Sequence, residues 1–151
     1  MSPAASWQIG EMQAADLAAV VELEASTYPS PWSLAAFEHG LHNNPFARNY
    51  VASSRRTGLA GYACIWLLEG EMLINNLTVA RAHRRRGLGR QLLGYLIGVG
   101  RQAGCLKAVL EVRPSNGAAL HLYRSFDFDS VGHHPGYYSD GEEALILGRP
   151  L

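Results

Sequence analysis

The sequence predicts an α+β (mixed α/β) fold: a central mixed sheet of seven strands with helices on both faces. Three observations carry this. Element signals run in the order βαα βββ α β α ββ, neither a regular βα alternation nor separate blocks. Three strand-like runs follow one another between Asn49 and Val79, separated only by turn residues. The last of them enters a short basic loop whose two glycines, Gly87 and Gly89, open a long apolar-periodic segment. The chain has 151 residues, 48% of them hydrophobic and 17% charged, which suits one domain over 1–151 with its own core.

Each element has a local reason. Trp7 and Ile9 alternate with polar neighbours, as in a short strand. Ala14 to Ala25 places Leu17, Val20, Val21 and Leu23 at helical spacing, with Asp16 near its start. Two prolines in Ser26 to Ser33 exclude a regular element there, and Ser33 caps a second helix, Leu34 to His42. Asn49 to Ser53, Leu59 to Leu68 and Glu71 to Val79 read as strands, with turns at Arg55 to Gly58 and at Glu69–Gly70. The adjacent amides Asn75 and Asn76 cannot both face a core, so a bulge is expected there. A helix over Leu88 to Ala103 stops at Gly104; Leu106 to Val112 is a central strand; Asn116 or Ser115 caps a helix from Gly117 to Phe126. Phe128 to Tyr138 holds a strand bent near Gly132 and Pro135, and Ala144 to Leu147 is the last strand.

Composition narrows the function. Formal net charge is zero, which argues against a general nucleic-acid binder. Cys64 and Cys105 lack metal-ligand spacing and read as buried free thiols, and no metal site is expected. Residues 1–10 lack a signal-peptide pattern, and no apolar run reaches the ~20 residues that span a bilayer, so a cytoplasmic protein without a membrane partner is the expectation. A monomer is the expected state.

Asn75 to Arg90, N-N-L-T-V-A-R-A-H-R-R-R-G-L-G-R, is the organising stretch. It holds Arg81, Arg84, Arg85, Arg86 and Arg90, five of the thirteen basic residues. Small residues let backbone amides approach a diphosphate, and the following helix N-terminus favours its charge. A dinucleotide fingerprint fails because position 92 is Leu92, and no G-K-[ST] exists for a Walker loop. What remains is R-x-x-G-x-G, Arg84 to Gly89.

That pattern, in this order of elements, resembles the GCN5-related N-acetyltransferase (GNAT) superfamily. The resemblance implies a GNAT fold with a largely antiparallel seven-stranded sheet and acetyl-CoA as cosubstrate. It implies that the backbone of Leu77, Thr78 and Val79 holds the pantetheine arm and thioester. Arg85, Arg86, Gly87, Leu88, Gly89 and Arg90 would hold the pyrophosphate.

A second constellation is L-E-V-R-P-S-N-G-A-A-L-H-L-Y, Leu110 to Tyr123. Glu111 lies in an otherwise apolar strand, where a carboxylate is costly unless paired or raised in pKa. A raised pKa suits a general base; a solvent-facing Glu, or one paired with Arg113, is the other reading. The stretch resembles the RimI-type ribosomal-protein alanine N-acetyltransferases, as do P-W-S at Pro31 to Ser33 and Tyr137–Tyr138 followed by Asp140–Gly141. The resemblance implies Glu111 as base, Tyr123 as acid and Asn116 as an acetyl-CoA contact. The partner would be the N-terminal peptide of a protein, a ribosomal one. Tyr28, Trp32, Tyr137 and Tyr138 would shape the peptide slot. The sequence departs from this family at Asp127, where a helix-ending glycine is usual, and around His133 to Gly136. A GNAT acting on lysine or a small amine, a non-catalytic acetyl-CoA sensor and a nucleic-acid module using the Arg cluster remain the alternatives.

Overall fold

The computed structural model of the protein describes residues 7–151. The strands are β1 (Gln8–Glu11), β2 (Ala47–Ser54), β3 (Gly58–Leu68), β4 (Glu71–Val79), β5 (Lys107–Val112), β6 (Asp129–His134) and β7 (Ala144–Pro150). The helices are α1 (Leu17–Thr27), α2 (Leu34–His42), α3 (Leu88–Gln102) and α4 (Gly117–Ser125), with single 3-10 turns at Ala14–Asp16 and Arg81–His83. The seven strands form one sheet in the order β1-β2-β3-β4-β5-β7-β6. β4 and β5 run parallel, whereas β1–β2, β5–β7 and β6–β7 are antiparallel. No described helix is long and apolar enough to cross a membrane.

The expected turns and caps form for the reasons the sequence supplies. Ser33 accepts the amide of Ala36 at 3.2 Å, and Asn116 accepts that of Ala119 at 3.1 Å. Glu69 and Gly70 both have positive φ, 52° and 78°, as a two-residue hairpin requires. Gly104 (φ 80°) ends α3 with a pair of bonds, its own amide to Arg101 O and that of Cys105 to Gly100 O. β2 and β7 run longer than their sequence signals; in β7, Gly148, Arg149 and Pro150 pair with Val109, Ala108 and Lys107 of β5.

The Asn75–Asn76 interruption is not a break: β4 is continuous through it. The parallel ladder with β5 covers Glu71–Lys107 to Ile74–Leu110 and so ends one residue before Asn75. Asn75 is exposed, and Asn76 turns its amide into hydrogen bonds described below. The bend expected in β6 is a register shift between Ser130 and Gly132.

The chain forms two compact units. One runs to Ile65 and resumes over Asn76–Tyr95; the other comprises Trp66–Asn75 and Leu96–Leu151. In the first, Val51, Tyr62 and Cys64 pack with Leu17, Val20 and Phe37 of α1 and α2. Ala52 and Ala60 pack instead with Trp7 and with Leu88 and Leu92 of α3. Val51 and Ala52 are neighbours in one strand, so helices cover both faces of this part of the sheet. In the second unit β5 alternates: Ala108, Leu110 and Val112 are buried, Lys107 and Glu111 exposed. Both cysteines are buried free thiols, and burial pushes that of Cys64 up to about 12.

Gly61 marks the tightest approach in the first unit. A Cβ there would lie 2.6 Å from the carbonyl oxygen of Thr78. Gly98 lies on α3 with nothing within 4 Å of such an atom. Denaturant unfolding should therefore separate two chemically identical changes. Gly61→Ala is expected to cost about 1–3 kcal/mol through forced backbone movement. Gly98→Ala is expected to add up to about 1 kcal/mol of helix propensity.

Candidate active site

In the first unit, Leu77, Thr78 and Val79 are the last three residues of β4, followed by the basic loop. Arg81, Arg84, Arg85, Arg86 and Arg90 are all exposed. Arg85 and Gly87 both have positive φ, 62° and 89°. For Arg85 this left-handed conformation costs about 1–2 kcal/mol, strain of the kind that collects at ligand-binding turns. Leu88, 1% exposed, anchors the start of α3 in the core. The first α-type bond of that helix is Gln91 N–H to Gly87 O at 3.0 Å, so the amides of Leu88 and Gly89 have no partner within the helix. Arg84 folds back, donating from Nε to Val79 O at 3.0 Å. His83, in the same loop, points inward. It is buried and accepts from the Trp7 indole at 3.3 Å.

The same unit places Tyr28 and Trp32 beside a group that composition and motif reading missed. Tyr28 Oη is 2.6 Å from Thr78 Oγ1, and Thr78 donates to Asn76 Oδ1 at 2.6 Å. Asn76 Nδ2 donates to Glu24 Oε1 at 2.8 Å, and the Trp32 amide donates to Glu24 Oε2 at 3.0 Å. The Tyr62 hydroxyl also donates to Glu24 Oε1. Glu24 is 2% exposed. Its signal was present, since Leu17, Val20 and Glu24 share one helical face at i, i+3 and i+7. Trp32 itself is exposed and leans on Phe37, ring centroids 5.5 Å apart.

In the second unit, Glu111 is exposed, which agrees with the solvent-facing of its two readings. The reason is the alternation of β5, which turns Glu111 away from the face that buries Leu110 and Val112. The Glu111 carboxylate beside it, first, and burial, second, push the Tyr137 hydroxyl above its ordinary value. Arg113 does not pair with Glu111. Its Nη1 donates to Asp140 at 2.7 Å and to Glu142 at 3.0 Å, and its guanidinium lies 3.9 Å over the Tyr138 ring. Glu142 also accepts from the hydroxyl and amide of Ser115. The β6–β7 connection carrying Tyr137 and Tyr138 is thereby tied to the end of β5. His133 and His134 are both exposed; His133 meets Glu143 at 3.2 Å and His134 stacks near Tyr137. Among the described residues no cluster of His, Cys, Asp and Glu is arranged to hold a metal ion.

Tyr123 is buried on α4, and the end of that helix locates it. Asp127 has φ 64°, the conformation its position demands. The amide of Asp127 reaches Arg124 O, and that of Phe128 reaches Tyr123 O at 3.1 Å. The Tyr123 and Phe128 rings pack edge to face, 5.8 Å apart, completing a Schellman cap with its apolar contact. Asp therefore fills the glycine position with the backbone intact.

The acetyltransferase (GNAT) family profile matches residues 17–128. The chain belongs to the GNAT acetyltransferase family. It is 32% identical over 147 residues to the ribosomal protein bS18-alanine N-acetyltransferase of Escherichia coli K12, covering 95% of this chain and 97% of that one. It is 36% identical over 151 residues to the Mycobacterium tuberculosis N-alpha-acetyltransferase RimI, covering 93% and 90%. Among solved structures, the E. coli ribosomal-protein-S18-alanine N-acetyltransferase superposes with a TM-score of 0.86 at 30% identity, over 96% of this chain and 94% of that one. Acetyl-CoA is the acetyl donor of GNAT enzymes, and the GNAT loop here fits an anionic ligand. It combines left-handed backbone at Arg85 and Gly87, a helix N-terminus and exposed guanidiniums.

Two titrations test the second unit. Asp140 is held below the usual carboxylate range by the Glu142 amide and by Arg113, and Glu142 by Arg113 and Ser115. Depressed carboxyls stabilise the fold above their unfolded value, roughly 4, and that contribution is lost as pH falls through the folded values. The Tm difference between wild type and Arg113→Met should hold steady above about pH 5 and shrink below about pH 4 in scanning calorimetry. Glu111→Gln should bring the Tyr137 phenol back toward about 10 in an alkaline absorbance titration, a change absent from a Tyr137→Phe background.

Proposed function

We propose that this chain, as a single GNAT domain over 1–151, transfers the acetyl group of acetyl-CoA to the N-terminal α-amine of a protein. The N-terminal alanine of ribosomal protein bS18 is the proposed substrate. The observation that carries this is the 32% identity, over nearly the whole of both chains, to an enzyme bearing that name. The exposed carboxylate of Glu111 at the end of β5 is the chemical feature it calls for.

When bound, acetyl-CoA supplies an activated thioester. The loop residues Arg85 to Arg90 grip its diphosphate through backbone amides and guanidiniums, and the backbone of Leu77, Thr78 and Val79 holds the acyl arm. Asn116 uses Oδ1 to cap α4, which leaves its Nδ2 as a donor for the cofactor. An N-terminal amine has a reference pKa of about 7.7–8.0, so a carboxylate suffices as base. Glu111 accepts the proton the amine sheds as its C–N bond forms. Tyr123 donates its hydroxyl proton to the departing sulfur as the C–S bond breaks. Tyr28 and Trp32 in the first unit, and Tyr137 and Tyr138 in the second, are the proposed peptide contacts, and the Tyr137 hydroxyl moves off Glu111 when the amine arrives.

Mass spectrometry of an Ala-starting bS18 peptide incubated with protein and acetyl-CoA is expected to place one acetyl group on the α-amine. Acetyl groups confined to lysine, or turnover of small amines alone, would overturn the assignment. Glu111→Gln and Tyr123→Phe should each lower kcat by about 10²–10⁴-fold while acetyl-CoA affinity stays near wild type. Full turnover by both variants would reject their roles.

A further inference from the structure

We infer that Glu24 is a positioning residue: through Asn76 and Thr78 it orients the Tyr28 hydroxyl as a hydrogen-bond acceptor for an N–H of the substrate peptide. This rests on the peptide-acetylating function proposed above.

The three donors that meet Glu24 are neutral. Tyr62 and Asn76 donate to Oε1, from β3 and β4, and the Trp32 amide donates to Oε2, from the segment between α1 and α2. A carboxylate only accepts, so it dictates the direction of every bond downstream. Asn76 must present its NH2 to Glu24 and therefore its carbonyl oxygen to Thr78. Thr78 has one proton and commits it to Asn76 Oδ1. Tyr28, 2.6 Å from Thr78 Oγ1, must then be the donor of that last bond. Its own oxygen is left with lone pairs and no proton to offer. The complementary group is a donor, such as a peptide N–H or an α-ammonium. A substrate carbonyl would meet lone pairs and be rejected.

Glu24→Gln keeps the volume and breaks the rule. With its NH2 toward Oε2's position, it opposes the Trp32 amide. With its NH2 toward Asn76, the Asn76 amide flips, Thr78 donates to Tyr28, and the Tyr28 proton points outward. The Trp32 amide cannot turn away, whereas the Asn76 amide and the Tyr62 hydroxyl can, so the second arrangement is adopted; it should raise the peptide KM about tenfold, one hydrogen bond's worth, with acetyl-CoA affinity unchanged. Tyr28→Phe should raise it similarly. Adding Glu24→Gln to Tyr28→Phe should then raise it little further, because the two act through one bond; a merely structural Glu24 would add its effect in either background. Thr78→Val cuts the chain without touching Glu24 and should raise the peptide KM likewise, with Thr78→Ser restoring it. Additive Glu24 and Tyr28 effects, or an unchanged peptide KM in Thr78→Val, would overturn the inference while leaving the proposed function standing. A wild-type protein that acetylates no peptide overturns both.

Discussion

A carboxylate removed from water must be met by donors, and much of the first unit is arranged to meet one. Glu24 draws together the end of α1, the segment leading to α2, Tyr62 of β3 and Asn76 of β4. An unpartnered charge at that depth would cost several kcal/mol, more than a typical domain can spare. The bonds are therefore obligatory, and they fix the aromatic residues around them. Tyr28 is located by a hydroxyl chain, and Trp32 by its backbone, which leaves the indole itself open to solvent.

The second unit solves a similar problem with exposed charges. Arg113 holds Asp140 and Glu142 together and stacks on Tyr138, so the connection between β6 and β7 is tied at several points. Single exposed ion pairs contribute little, but one guanidinium shared by two carboxylates and lying over an aromatic face constrains geometry. The connection thus keeps Tyr137 against Glu111. At the far end of α4 the left-handed Asp127 and the Tyr123–Phe128 contact hold the residue proposed as the acid. Each group with an assigned chemical role is held by an interaction a few residues from it.

Most of the fold was legible because its signals are local. Ser33, Asn116, Glu69–Gly70 and Gly104 act within four or five residues, and the structure uses each as read. The basic loop and Gly87-x-Gly89 were legible for the same reason. Interactions across long sequence separations were not. Glu24 meets Tyr62 38 residues away and Asn76 52 residues away, and no local pattern encodes such meetings. Arg113 has Glu111 as a near neighbour in sequence, yet its partners lie 27 and 29 residues on. For Glu111 the sequence left two readings, and the alternation of β5 decides for the open face. Helical periodicity could have placed Glu24 on the buried one.

The arginine loop has an electrical consequence that the zero net charge conceals. Five guanidiniums within ten residues create a local positive field, while the balancing carboxylates lie elsewhere in the sequence. A neutral molecule of this kind has no long-range pull on anions, yet within a Debye length, about 8 Å at physiological salt, it attracts them strongly. Capture of a polyphosphate ligand then becomes a question of ionic strength and of phosphate count. The encounter is selective before any shape is compared.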